Sequence, residues 1–116
     1  MAEATNRVSL SGWVADSPET RWTPAGLELT RFSLVHRSRA TIAGLERTVE
    51  CQITVVALGE SLAQTAQALV VDQGCAVEGV LSQRVSRRTG REPFYGRFEL
   101  QALSLTPLSP EGKDSE

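Results

Sequence analysis

The sequence has few of the residues that usually hold metals or carry covalent chemistry. Its 116 residues contain two cysteines, Cys51 and Cys75, and one histidine, His36. There is no Cys-x-x-Cys and no paired-histidine spacing, so the ligands of a structural zinc site are not there and no metal is expected. One histidine without a placed carboxylate makes no nucleophile–base–acid triad. Nothing has the form of a glycine-rich phosphate loop or a Walker motif. No catalytic constellation is therefore readable from the residues. Both cysteines sit in apolar alternation, where a buried free thiol is the expectation.

Long apolar runs are missing as well. No stretch approaches membrane-spanning length, and the opening Met1-Ala-Glu-Ala-Thr-Asn-Arg7 has no apolar segment of the secretory kind. A soluble, cytoplasmic chain with no membrane partner is expected. Aromatics make up only 5% of the residues, and lysine is nearly absent: of twelve basic residues only Lys113 is not arginine. Arginine offers a planar fork that holds phosphate bidentately and stacks on bases, although a GC-rich coding sequence gives the same bias. The formal net charge of −2 and pI near 5.5 argue, as totals, against a polyanionic partner. How the charge is distributed decides more than its sum.

The hydrophobic content is 41%, spread along the chain, which suits one globular domain with a single core. The stretch Val77 to Leu105 organises the rest. An alternating run from Val77 to Val85 breaks at Ser86-Arg-Arg-Thr-Gly-Arg-Glu-Pro93 and resumes from Phe94 to Leu105. Two period-2 segments about a Gly/Pro-containing break predict a long β-hairpin. Its tip carries Arg84, Arg87, Arg88, Arg91 and Arg97 against a single acid, Glu92. A one-signed, arginine-loaded arm with Phe94 and Tyr95 at its base suits a polyanion; the alternative is a solvated hairpin loop, which is often charged anyway, and the one-signed excess favours the first.

Residues 1–5 are polar and expected to be flexible. Asn6 to Ala15 alternates, with Val8, Leu10, Gly12 and Val14 on one face, which predicts a half-buried strand bent or bulged at Gly12. Turns follow at Asp16-Ser-Pro-Glu19 and Thr23-Pro-Ala-Gly26, and Arg21-Trp22 between them is too short to classify. The second strand is Leu27 to Val35. Leu27 and Leu29 share one parity and Phe32 and Leu34 the other, so a bulge near Thr30-Arg31 is expected. His36 to Arg47 reads as a hairpin connection around Gly44. The third strand, Thr48 to Leu58, has Val49, Cys51, Ile53 and Val55 facing inward. Gly59 to Val71 changes to a helical period, with Leu62, Ala66 and Leu69 on one stripe and about three turns before Asp72-Gln-Gly74. A register change is expected near Ala102-Leu103, and residues 107–116 form an acidic tail expected to be disordered.

This β-β-β-α-β-β order predicts an all-β, five-stranded OB-fold barrel over residues 6–106, with one short helix between strands 3 and 4. A ferredoxin-like fold needs two helices, and an SH3-like barrel does not place a helix there. An OB barrel binds across strands two and three, flanked by the one–two and four–five loops. Arginines fall at all of these places: Arg21 beside Trp22, Arg37 and Arg47 at the two–three hairpin, and Arg84, Arg87, Arg88 and Arg91 on the four–five arm. Single-stranded nucleic acid needs a cationic track and aromatic plates. The track is plentiful. The plates are few, with Trp13, Trp22, Phe94 and Tyr95 off the core parity. Trp13 stands open between a subunit interface, base stacking and simple exposure, and His36 reads as a hydrogen-bonding structural residue.

Asn6-Arg-Val-Ser-Leu-Ser-Gly12, Pro24-Ala-Gly26, Phe32-Ser-Leu-Val-His-Arg-Ser38, Cys51-Gln52 and Val77-Glu-Gly-Val-Leu-Ser82 together resemble the primosomal replication protein N family, bacterial relatives of single-stranded DNA-binding protein. The resemblance runs from about Asn6 to Leu105. It implies a homodimeric OB-fold protein of the replication restart primosome, with no catalytic activity and no cofactor. The implied partners are single-stranded DNA, the restart helicase (primosomal protein N′) and a helicase-loading primosomal protein. It places the basic contacts at Arg21, Arg37, Arg47 and the arginines of the four–five arm. Where some members carry stacking aromatics near strands two and three, this chain has Leu45 and Glu50, which shifts weight toward protein binding. Two alternatives accompany this reading. One is a general single-stranded DNA-binding protein, against which the lack of an apolar end in Lys113-Asp-Ser-Glu116 argues. The other is an OB-fold protein-interaction module with weak DNA affinity.

Overall fold

The structure, a computed structural model, describes residues 3–108. Six strands and one helix follow in order: β1 (Val8–Val14), β2 (Glu19–Trp22), β3 (Glu28–Ile42), β4 (Leu45–Leu58), α1 (Glu60–Gln67), β5 (Gly74–Ser86) and β6 (Phe94–Pro107). The sheet order is β1-β5-β6-β4-β3-β2, and a further β1–β3 pairing closes it. Five long strands make the barrel with the helix between the third and fourth of them, as the pattern predicts. The short β2, which contains Arg21-Trp22, adds a flank along the start of β3.

Closure depends on a glycine. β1 pairs with β5 from Val8 to Trp13 and with β3 at Trp13 and Val14. At Gly12 the β3 backbone comes so near that an added Cβ would lie 2.0 Å from the Val35 carbonyl oxygen. Only hydrogen fits there. The expected distortion near Ala102-Leu103 is present: Glu78 pairs with Ser104 but Gly79 with Ala102, leaving Leu103 as the extra residue. Bulges of this kind bend long strands around a small barrel.

The core consists of Val14, Phe32, Leu34, Val55, Ala57, Cys75, Val77, Leu100 and Ala102, with Ala66 and Leu69 plugging one end. Four sequence expectations are corrected here. β3 and β4 pair without interruption from Leu29–Leu58 to Ile42–Leu45, so no bulge occurs at Thr30-Arg31. Instead Glu28 and Thr30 take inward positions. The Thr30 hydroxyl is satisfied by the Ala63 carbonyl at 3.0 Å and by Thr20 Oγ1 at 2.8 Å, and Glu28 accepts from Gln67 Nε2. A satisfied polar pair removes the need to force Leu27 inside, and Leu27 is exposed.

Second, His36 to Arg47 is strand rather than connection. The turn is only Ala43-Gly44, with φ of 54° and 78°, the double positive φ of a tight hairpin. Third, the helix ends at Gln67 with its cap at Ala68. Exposed, β-branched Val70 and Val71 follow, and Asp72 at φ 74° turns the chain back to β1 through its N–H to Val14 O. Fourth, Cys51 is exposed and only Cys75 is buried. β6 runs to Pro107, and Leu108 N donates to Gly74 O. The rest of the expected disordered tail lies outside the described residues.

Candidate nucleic-acid interface

β4 and β6 lie side by side, parallel, only at Thr54–Val56 and Glu99–Gln101. Toward their N-terminal ends each pairs only with its own hairpin partner, so two hairpins leave the same end of the barrel and diverge. The β3–β4 arm from His36 to its turn is roughly 23 Å long at about 3.3 Å per residue. The arms explain a radius of gyration of 16.2 Å, against about 13 Å for a compact chain of ~100 residues. Ser33, Gln52, Ile53, Thr54, Arg97 and Phe98 line the space where the arms part. A second cleft beside it is walled by Asp16 and Ser17 of the β1–β2 loop, Glu19, Arg31, Arg84, Arg97 and Glu99.

Register decides which side chains share a face. On β3 and β4 the paired rows Arg37–Glu50, Arg39–Thr48 and Thr41–Glu46 face away from the barrel interior. Arg37 Nε is 3.8 Å from Glu50, and Arg39 Nη2 is 2.6 Å from Glu46. This face therefore neutralises itself. Arg47 pairs with Ala40 on the opposite face, beside Ile42 and Leu45, so Arg37 and Arg47 do not converge. Arg21 and Trp22 are exposed on β2, opposite Leu29 and Glu28, at the end of β3 remote from the hairpin tip.

The β5–β6 arm differs. Arg84, Arg87, Arg88, Arg91 and Arg97 are all exposed, and none forms an ion pair among the described residues. Gly90 at φ 73° and the bond from Arg91 N to Arg88 O curl the loop, so that Arg88, Arg91, Glu92 and Phe94 line one hollow. A second bulge, where Gln83 pairs with Phe98 but Val85 with Tyr95, puts Phe98 and Tyr95 on one face of the arm. Tyr95 is 54% exposed, Phe98 55% and Phe94 70%. From the sequence, Arg97 counts toward the charge of the arm but is not placed among the contact residues, and Phe98 is missed. Phe98 has the parity of core Leu100, but it lies where the arm has already left the barrel and no core faces it.

His36 bridges the Ser11 carbonyl (Nδ1, 2.7 Å) and Ser38 Oγ (Nε2, 2.7 Å), a structural role as expected. Trp13 is half-buried on β1 opposite Val35 and Gly74. No group of His, Cys, Asp and Glu suited to a metal ion occurs among the described residues, and none of their helices is long and apolar enough to cross a membrane.

Residues 6–92 match the model of a family described as another single-strand binding protein family. Replication restart protein PriB of Photobacterium profundum is 40% identical over 83 residues, covering 72% of this chain and 80% of that protein. PriB of Vibrio parahaemolyticus is 36% identical over 104 residues, covering 90% and 99%. Among solved structures, a deletion variant of the single-stranded DNA binding protein from Thermus aquaticus superimposes with a TM-score of 0.76 at 29% identity. That match covers 97% of this chain and 54% of the Thermus chain, so this protein spans about half its length.

Proposed function

The chain belongs to the single-strand binding protein family that includes replication restart protein PriB, and from that premise we propose that it is a single-stranded DNA-binding component of the replication restart primosome. The observation that carries the DNA part is the β5–β6 arm: five arginines without an ion pair among the described residues, beside exposed Phe94, Tyr95 and Phe98. Guanidinium groups outside any ion pair are available to phosphates, and three rings offer stacking surfaces for unpaired bases. In this reading Arg84, Arg87, Arg88, Arg91 and Tyr95 form the primary contact, joined by Arg97 and Phe98. Arg21, Trp22, Arg37 and Arg47 make later or weaker contacts with a strand that wraps the barrel. The protein acts in the cytoplasm as a homodimer. It holds the restart helicase, primosomal protein N′, on DNA at stalled forks and passes the site to the helicase-loading primosomal protein.

A second reading, an OB-fold module that binds mainly protein, draws on the self-neutralised Arg37–Glu50 and Arg39–Glu46 face. The general single-stranded DNA-binding alternative turns on the C-terminal tail, which lies outside the described residues. A fluorescence-anisotropy titration with labelled oligo-dT at two salt concentrations separates DNA grip from protein module. Four or more neutralised phosphates give a slope of log K against log salt of about −3, at about −0.7 per contact. A slope near zero, or no binding at low salt, rejects the DNA grip.

A further inference from the structure

Glu99 occupies an unusual position for a carboxylate on a DNA-binding surface. It sits on the outward row of β6, paired with Thr54 of β4 and Ser82 of β5. Its side chain is only 15% exposed and lies 3.7 Å from Arg31 Nη2, reaching across β4. Arg97 is two residues before it on β6, and Arg84 lies two residues beyond Ser82 on β5. Arg31, Arg84, Arg97 and Glu99 all line the same cleft at the root of the arginine arm. Arg31 is not fully served by this arrangement, because its Nε is buried and has no hydrogen-bond acceptor among the described residues. A guanidinium that offers two adjacent donors to an anion is here met by one carboxylate at one nitrogen.

We propose that Glu99 is an internal stand-in for a DNA phosphate. It holds Arg31 in the cleft among Arg84 and Arg97 and must give way before a backbone phosphate can take both Arg31 donors. This rests on the single-strand reading above and adds to it a residue that sets affinity. In the free protein Glu99 offsets part of the positive field at the base of the arm. On binding, a backbone phosphate offers two non-bridging oxygens, one for Nη2 and one for the unserved Nε that Glu99 does not meet. The competition lowers affinity and hides one phosphate contact from the salt dependence. It favours ligands that present a phosphate at the arm's root over those that touch only its tip.

The test uses the full chain, labelled oligo-dT and three variants: Glu99→Gln, Arg31→Gln, and the two combined. Glu99→Gln keeps the size and the acceptor toward Gln101 but removes the charge. Affinity for oligo-dT is expected to rise about fivefold, the effect of one unit charge at contact distance in bulk water. The salt slope is expected to steepen by about 0.7, one added phosphate. Both gains should vanish in the double variant, because Arg31 is the group released. A gain that persists in the double variant assigns the effect to net charge and overturns the proposal. A lower melting temperature with unchanged affinity and slope reduces Glu99 to a structural partner and also overturns it. If the wild type binds and Glu99→Gln does not bind more tightly, the inference fails while the single-strand reading stands. If neither binds, both fail.

Discussion

Arg37 and Glu50 face each other across the β3–β4 hairpin, directly in register and 3.8 Å apart, both about two-thirds exposed. Such an exposed pair contributes about 0–1 kcal/mol to stability, so its main consequence is for what the surface can attract. One turn-ward, Arg39 and Glu46 repeat the arrangement at 2.6 Å. The surface across strands two and three that an OB barrel usually offers to nucleic acid therefore presents as many carboxylates as guanidiniums along this arm. Most of the uncompensated charge lies on the neighbouring β5–β6 arm, while Arg47 stands exposed on the other face of the β3–β4 arm. The two hairpins leave the barrel together, one with its outward row self-neutralised and the other open.

Replacing Glu50 by tryptophan tests the self-neutralised row. The exchange releases Arg37 and puts an indole on an exposed row between Gln52 and Thr48. Stacking on one base is worth about 1–3 kcal/mol, so the Kd for oligo-dT is expected to fall at least about fivefold. An anisotropy titration reads this directly. An equal or weaker Kd means that the strand does not cross this face.

The open arm is tested by changing Arg87, Arg88 and Arg91 together to alanine. All three are exposed, and none is ion-paired among the described residues. Loss of three phosphate contacts is expected to make the salt slope shallower by about 2. The melting temperature should hold, since each exposed substitution is worth within about 0.5 kcal/mol. A titration curve that matches the wild type would remove this arm from the DNA path.

Alternation located the strand wherever one face is buried, as from Val8 to Val14. It failed between His36 and Arg47, where the hairpin has left the barrel and both faces meet water. With no buried face, selection imposes no period-2 pattern, and Ala43-Gly44 alone marked the turn. The same loss of a core hid Phe98, whose inward parity no longer means burial. The bulge expected at Thr30-Arg31 failed for a different reason. Parity counts apolar residues, whereas the interior there accepts Thr30 and Glu28 because α1 supplies their partners. The arginine arm was legible because its one-signed charge is local in sequence. The pairings Arg37–Glu50 and Arg31–Glu99 were not, since cross-strand register is a long-range property.

Gly12→Ala tests the closure of the barrel. An added Cβ at 2.0 Å from the Val35 carbonyl oxygen cannot be absorbed by a rotamer change, because the obstacle is backbone. Either β1 moves off β3 or the Trp13–Val35 pairing opens. Overpacking by one carbon typically costs 1–3 kcal/mol, and a backbone clash at this distance should reach at least about 3 kcal/mol. Against a total stability of about 5–15 kcal/mol, that is a large fraction. A urea-unfolding midpoint within error of the wild type would show that β1 does not close on β3 at this point.

The two thiols should behave oppositely. Cys51 is exposed on the arm and Cys75 is buried in the barrel, where desolvation pushes its pKa up from 9.0 to about 11. At pH 8 one thiol per chain is expected to react promptly with Ellman's reagent and the second only after denaturant is added. The shift also fixes a pH dependence. Between about pH 9 and 11 the unfolded chain has lost the Cys75 proton while the folded chain keeps it, so the folded state binds more protons and stability falls as pH rises. The contribution is fully present below pH 9 and is lost as pH passes through about 11. Cys75→Ala is the control. Its urea midpoint should decline less steeply over this window than that of the wild type. Parallel declines, or two prompt thiols at pH 8, would mean that Cys75 is open to water and that the barrel is looser at the β1–β5 seam than its packing indicates.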